Sequence, residues 1–252
     1  MQDHVVRRAK LLLATTRHSA ASLDEIRARA GSHAQVSWIY NGYDPDDFPP
    51  QAGTGSNESG LYRLAYVGTL WNLTSVAPLV QAVERLALDH ADQVRRLELI
   101  FAGRRTPAQQ ALVDRLKQFP VRVVEHPYLE HVQALELLRS ADGLCLLLSD
   151  CPGAERVVPA KVFEYLAARR RILAIMPRGE CWELLAADAD ACRVLPGDID
   201  GIAQALLAEL SRPVGARREQ GGTAKLHQYS RRYQAGQLAD FLHRLVTLHP
   251  AP

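Results

Sequence analysis

The stretch LYRLAYVGTLWNLTSVAPLVQAVERLALDHADQVRRLELIFAGRRTP, residues 61–107, decides the fold. An apolar run, Tyr62–Val67, ends on Gly68. An amphipathic segment, Val76–Leu88, follows, and a second apolar run, Leu97–Phe101, leads through Ala102 to Gly103. Pro107 behind Thr106 signals the next helix start. The two runs are apolar apart from Arg63 and Glu98 near their starts and do not alternate with polar residues. Strands of that kind are buried on both faces, which requires a parallel sheet with helices on either side.

The same rhythm continues downstream. Further strand-like runs are Val121–Glu125, Gly143–Leu148, Ile172–Ile175 and Cys192–Leu195. Helical patterns lie at Pro107–Phe119, Val132–Arg139, Ala160–Ala168, Cys181–Ala187 and Ile199–Leu210, the last capped by Asp198. The expected architecture is α/β: a doubly wound, Rossmann-like parallel sheet with helices on both faces. Its ligand belongs at the carboxyl ends of the strands. A helical tail from about Gly215 to Leu248 has no strand of its own to cover.

Upstream, a helix is expected over Ala20–Ala30, capped by Ser19 or Ser22, and then a strand over Val36–Tyr40. The segment NGYDPDDFPPQAGTGSNESG, residues 41–60, reads as a turn and a flexible linker.

Composition bounds the function. With 252 residues, 47% hydrophobic and 23% charged, the chain buries one sizeable core, and a formal charge of +2 demands no nucleic acid or other polyanion. Basic residues gather at both ends: Arg7, Arg8, Lys10 and Arg17, then Arg212, Arg217, Arg218, Lys225, Arg231, Arg232 and Arg244. They read as solvated helix faces, with peripheral contact to an anionic membrane as the alternative. Cys145, Cys151, Cys181 and Cys192 form no CxxC pair and no metal-like spacing with histidine, which fits a reduced, cytoplasmic chain. His126 and His131 are too far apart to share a helix face as HxxxH would, so no metal site is expected. No run reaches the length of a membrane helix.

Loops after the strands carry the candidate ligand residues: Gly68 and Thr69, Gly103 with Arg104 and Arg105, and Pro127 with Tyr128. A glycine after a buried strand lets backbone N–H groups approach a phosphate. Neither glycine belongs to a GxGxxG or GxxxxGK[ST] signature, which argues against a dehydrogenase or an epimerase. In VVPAKVFEYLAARRRILAI, residues 157–175, Pro159 opens a helix that puts Lys161 at its start and Glu164 one turn along. A carboxylate there can accept hydrogen bonds from a sugar diol. Equally, the segment reads as an amphipathic helix with Val162, Phe163, Tyr165 and Leu166 in the core and Lys161 and Glu164 in water.

As a set, these segments resemble the retaining two-domain (GT-B type) glycosyltransferases of the group 1, family 4-like class. The matching pieces are Val158-Pro159-Ala160-Lys161-Val162-Phe163-Glu164-Tyr165-Leu166 with Arg171–Ile175, Tyr66-Val67-Gly68-Thr69, Ile100–Gly103, and Asn41-Gly42-Tyr43-Asp44 with Phe48. The resemblance implies a donor domain at 61–212, a remnant of the acceptor domain at 1–48, a linker at 49–60 and a closing helical tail at 213–252. It implies metal-independent chemistry with no cofactor, the donor substrate being a nucleotide-diphosphate sugar. Glu164 would hold the ribose, backbone from Val158 to Lys161 the pyrophosphate, and Pro127 and Tyr128 the base.

Two departures stand out. Arg156, beside Glu155, stands where the family pattern often has a second glutamate, and these two are the only candidates for catalysis. The Arg and Lys that commonly follow the first glycine loop are missing, so Arg104, Arg105, Arg156 or Lys161 must supply the charge. The chain alone is expected to bind donor without transferring it, its partners being a separate acceptor domain or, across the exposed flank, a second copy. A catalytically idle nucleotide-sugar-binding or subunit-partner protein is the alternative.

Overall fold

The structure, a computed structural model, describes residues 2–49, 60–212 and 223–248. The expected linker at 49–60 lies almost wholly outside them, as does the start of the tail at 213–222. In chain order the elements are α1 (Gln2–Arg8), β1 (Leu11–Ala14), α2 (Arg17–Arg29), β2 (Gln35–Trp38), β3 (Tyr62–Val67), α3 (Ala77–Asp89), α4 (Ala91–Val94) and β4 (Leu97–Ala102). They continue with α5 (Pro107–Leu116), β5 (Arg122–His126), α6 (His131–Ser140), β6 (Gly143–Leu147), α7 (Lys161–Ala167), β7 (Arg171–Ile175), α8 (Glu180–Ala186), β8 (Ala191–Val194), α9 (Ile199–Leu210) and α10 (Arg231–Leu248).

Six strands form one parallel sheet in the order β5-β4-β3-β6-β7-β8. Strands β4 and β6 are buried at every position: β6 is apolar throughout, and the one charged residue of β4, Glu98, pairs with Arg63 and Arg122. One core cluster joins Leu64, Tyr66, Leu99 and Phe101 to the faces of α3 and α9. The other joins Ala65, Ile100, Leu144 and Leu146 to Val162, Phe163, Tyr165 and Leu185. Thr106 and Asp198 cap α5 and α9 by accepting from the Gln109 and Gly201 N–H groups. Chain order reverses between β3 and β6, and a crevice at the carboxyl ends of these two strands is where such sheets bind ligands.

The first forty residues hold more structure than expected. Strand β1 pairs in parallel with β2 in a separate two-stranded sheet, and α2 packs against both. Helix α2 begins three residues earlier than expected, and its cap is Thr16, whose side chain accepts from the Ser19 N–H. Ser22 instead donates to the His18 carbonyl.

Glu180, at the start of α8, joins this small unit to the main sheet. Its carboxylate is 1% exposed and accepts from the Arg17 N–H at 2.6 Å, the His18 N–H at 2.6 Å and the Tyr40 hydroxyl at 2.5 Å. It thus neutralises the free N–H groups of the first turn of α2 with a full charge. The tail packs back onto the turn at 41–44: Tyr43 and Ser230 form a parallel bridge, and Gln234 donates to the Asn41 carbonyl. Beyond Gln234, Leu238, Leu242 and Val246 of α10 are exposed.

Replacing Glu180 by Ala orphans two amides and a phenol, at a cost of about 2–4 kcal/mol. Glu180→Ala is expected to lower the urea midpoint and to speed hydrogen exchange at the Arg17 and His18 amides. Unchanged exchange at those two sites would contradict the joint.

Candidate functional site

At the crevice between β3 and β6 stands the Lys161 ammonium. Helix α7 begins there because Pro159 starts a tight turn, its carbonyl accepting from the Val162 N–H, while Val162, Phe163 and Tyr165 anchor the helix in the core. Lys161 Nζ donates to the Tyr66 hydroxyl at 3.0 Å and lies 4.1 Å from the centre of the Tyr66 ring. Among the described residues no carboxylate forms an ion pair with it. Burial, with Cys145 and Glu164 pulling weakly the other way, pushes its pKa from the usual 10.5 down to about 8. A cation held this way is costly unless an anion joins it.

Gly68 and Gly103 lie at this same end, but not in the role that the sequence suggests. The Gly68 N–H bonds the Ala102 carbonyl at 2.8 Å, and the Gly103 N–H is shared between the His126 and Pro127 carbonyls. Neither is free for a phosphate. Their function is space: a Cβ on Gly68, whose φ is +138°, would strike Lys161 Nζ, and one on Gly103, at φ +126°, would strike the Gly68 carbonyl. The neighbouring amides of Thr69 and Arg104 have no acceptor among the described residues, and neither have those of Val158, Ala160 and Lys161.

Glu164 lies one turn beyond Lys161 and is half-buried. Burial raises its pKa above the usual carboxylate value, while His131 and Arg231 pull it down and Asp47 pushes it up. No described residue donates a hydrogen bond to it. Tyr128, 65% exposed, stands beyond the end of β5 with the Arg104 guanidinium over its ring at 5.6 Å, and Pro127 beside it is exposed. Trp71, also exposed, follows the Gly68 loop.

Other candidates are occupied elsewhere. Arg105 donates to Gln110 and to the Phe101 and His126 carbonyls and pairs with Glu125, so it braces β4 against β5. Arg156 reaches Ser22 of α2 and Glu155, both of the latter pair being exposed. The backbone of Glu155 packs on Gly179 and its carbonyl lies 3.2 Å from His18 Nδ1, so this turn is a contact with the small unit.

Three Asp-x-Asp triplets, Asp44–Asp46, Asp188–Asp190 and Asp198–Asp200, escaped the sequence reading. Asp198 caps α9, Asp190 pairs with Arg171, and among the described residues no group of three or more His, Cys, Asp or Glu is placed to hold a metal. Sequence reasoning also passed over Tyr66. A phenol inside an apolar strand needs a partner, and that was the available signal.

No family model matches the chain, and no curated protein does. Solved structures do. Alpha,alpha-trehalose 6-phosphate synthase from Burkholderia multivorans aligns with a TM-score of 0.72 and 15% identity over 98% of this chain and 62% of that one. HepE from Anabaena, in complex with UDP and glucose, aligns at 0.68 and 16% over 96% and 66%. A UDP-forming trehalose-phosphate synthase from Burkholderia xenovorans, in complex with glucose-6-phosphate, aligns at 0.68 and 17% over 94% and 61%. The fold is therefore the Rossmann-like, C-terminal part of the GT-B architecture, and the chain spans less than two thirds of each of these proteins.

The Lys161 geometry makes a signed prediction. Between pH 8 and 10.5 the unfolded chain holds a proton on this amine that the folded chain has lost, so the contribution of Lys161 to stability rises with pH across that window. Lys161→Met, free of the buried charge, is expected to melt at a higher temperature than the wild type at pH 7, with the gap closing by pH 10. A lower melting temperature for the variant at pH 7 would mean that the ammonium stabilises the fold.

Proposed function

We propose that this chain is the donor-binding part of a retaining glycosyltransferase and that it binds a nucleotide-diphosphate sugar at the β3/β6 crevice. One observation carries the reading: a cation without an anion and a carboxylate without a donor stand one helical turn apart at the carboxyl edge of the sheet. A nucleoside diphosphate supplies both missing partners, its pyrophosphate for Lys161 and its ribose hydroxyls for Glu164. The open amides of Thr69, Arg104 and Lys161 add donors for phosphate oxygens, and Tyr128 with Arg104 offers a stacking face for the base. The UDP in the HepE structure and the UDP-forming activity named for the trehalose-phosphate synthases support a donor of this class.

The acceptor wall of the site is proposed to come from an additional α/β domain. A two-stranded parallel sheet is not independently stable, since parallel strands belong in larger sheets covered on both faces. Here Leu13 of β1 and Trp38 of β2 are exposed. The comparison proteins carry more than a third of their length beyond the part shared with this chain. Donor, acceptor and the exclusion of water must meet in one cleft for transfer, so residues 1–252 are expected to bind donor without turnover. The four free cysteines accord with a reduced, cytoplasmic setting, and Glu155 and Arg156 are left as contacts to the small unit, with no catalytic step routed through them.

A thermal-shift panel of nucleotides and nucleotide sugars tests the reading, because a ligand of the folded state raises the melting temperature by mass action. Nucleoside diphosphates are expected to shift it and nucleosides are not. Glu164→Ala is expected to weaken diphosphate binding by roughly 30-fold or more, two hydrogen bonds to a charged acceptor being worth about 2–4 kcal/mol. Its own stability should hold or rise at neutral pH: with the folded pKa raised, the ionised carboxylate loses stability as pH climbs through that value. Wild-type affinity in Glu164→Ala would remove the ribose role, and robust sugar transfer by residues 1–252 would refute the half-site.

A further inference from the structure

Tyr66 connects the lysine to the loop it faces. The phenol oxygen accepts from Lys161 Nζ at 3.0 Å and donates to the Thr69 carbonyl at 2.8 Å, and Thr74 Oγ1 donates to that same carbonyl at 2.7 Å. Tyr66 is 1% exposed, fixed on β3 between Leu64 and Gly68, so neither its ring nor its hydroxyl is free to wander. The arrangement spans the crevice: β3 supplies Tyr66, the loop after it Gly68 and Thr69, and α7 the cation. A lysine without a carboxylate would ordinarily swing into water. This one lies over an aromatic face with a phenol oxygen as acceptor, two interactions that favour the ammonium over the amine without neutralising it.

We propose that Tyr66 is a positioning residue that aims the Lys161 amine at the Gly68–Thr69 loop, and that this amine takes up a proton when a diphosphate binds there. The proposal rests on the reading of the crevice as a diphosphate site. Ligand-free, Lys161 loses its proton near pH 8, because burial depresses its pKa. A bound diphosphate restores the proton, so amine plus one solvent proton becomes ammonium paired with phosphate.

Other titratable groups face the amine or its helix. The Cys145 thiol, packed from β6, is pushed up to about 12, and the Tyr66 and Tyr165 phenols are raised still further by burial. Glu164, on its own helix, is a carboxylate, and its surroundings add Asp47, His131 and Arg231. His131 pairs with Asp47 at 2.9 Å. The last ionisation of a terminal phosphate, near pH 6, is complete before this window opens.

Titration calorimetry with UDP at pH 7, 8 and 9, each in two buffers of different ionisation enthalpy, tests this. The wild type is expected to take up about half a proton at pH 8 and about 0.9 at pH 9, with affinity falling roughly fivefold between the two. Lys161→Met is expected to bind weakly with no uptake, and His131→Gln to keep it. Tyr66→Phe retains the ring and removes the acceptor, so the pH above which affinity falls should move lower and binding at pH 8 should drop about three- to tenfold. Uptake that survives in Lys161→Met, or a Tyr66→Phe protein with wild-type affinity and pH profile, overturns the proposal while leaving the diphosphate site intact. If Tyr66→Phe does not fold, the comparison of wild type with Lys161→Met still decides the proton uptake. Absence of UDP binding by the wild type at every pH overturns the site itself.

Discussion

The uncompensated Lys161 ammonium sets the terms for the rest of the molecule. Charge removed from water without a counter-ion costs free energy, and the fold meets that cost only partly, with one phenol oxygen and one aromatic face. To hold it there the chain needs Tyr66 rigid on β3, which as one of the two central strands is paired on both sides. It needs α7 to start at the same edge, which the turn at Pro159 and the buried Val162, Phe163 and Tyr165 provide. Tyr165 adds a further tie by accepting the Val67 N–H at 3.1 Å, linking α7 to the last residue of β3. The least favourable group in the core-facing layer is thus surrounded by the most constrained ones, as expected where stability is given up for binding.

Glycine contacts follow from the same constraint. Parallel strands that splay by a residue at their carboxyl ends would open the crevice and let water reach the lysine. Gly103 prevents this by letting the turn after β4 sit directly against the Gly68 carbonyl, an approach that any side chain would block with backbone on both sides. Its N–H, shared between the His126 and Pro127 carbonyls, draws the end of β5 in as well. Three consecutive turns are therefore registered to each other by backbone alone, which leaves their side chains, Thr69, Arg104 and Tyr128, facing outward without structural duties beyond the stacking of Arg104 on Tyr128.

Most of the main sheet was legible in the sequence, for a physical reason. Unbroken apolar runs such as Gly143–Leu148 admit one solution, a strand covered on both faces, and Thr106 and Asp198 announce their helices through local hydrogen bonds that depend on nothing distant. What escaped depends on distant partners. Leu11–Ala14 is too short to show a period, and becomes a strand only because Gln35–Trp38 lies beside it. The cap at Thr16 was missed for Ser19 and Ser22 because three hydroxyl residues compete there, and Glu180 decides the matter from more than 160 residues away. At the site, Lys161 and Glu164 were visible as a helix start and its next turn. That Arg105 is spent on Glu125 and that the glycine amides are taken could be learned only from tertiary contacts.

The two ends of the chain are finished to different degrees, and that difference bears on how the small unit is coupled to the crevice. The six-stranded sheet is covered on both faces, so its crevice is preformed. The small unit is one helical layer on two strands, held by the buried Glu180 joint and by the bridge between Tyr43 and Ser230. Elements with few buried contacts open first, so a force applied to β1 and β2 by a docked domain would be felt at Glu180 and at the turn of Glu155 and Arg156 that touches α2. That turn lies in the loop between β6 and α7, the same loop that ends at Lys161. Movement of the small unit therefore has a short covalent and hydrogen-bonded route to the cation, through the chain from residue 155 to residue 161.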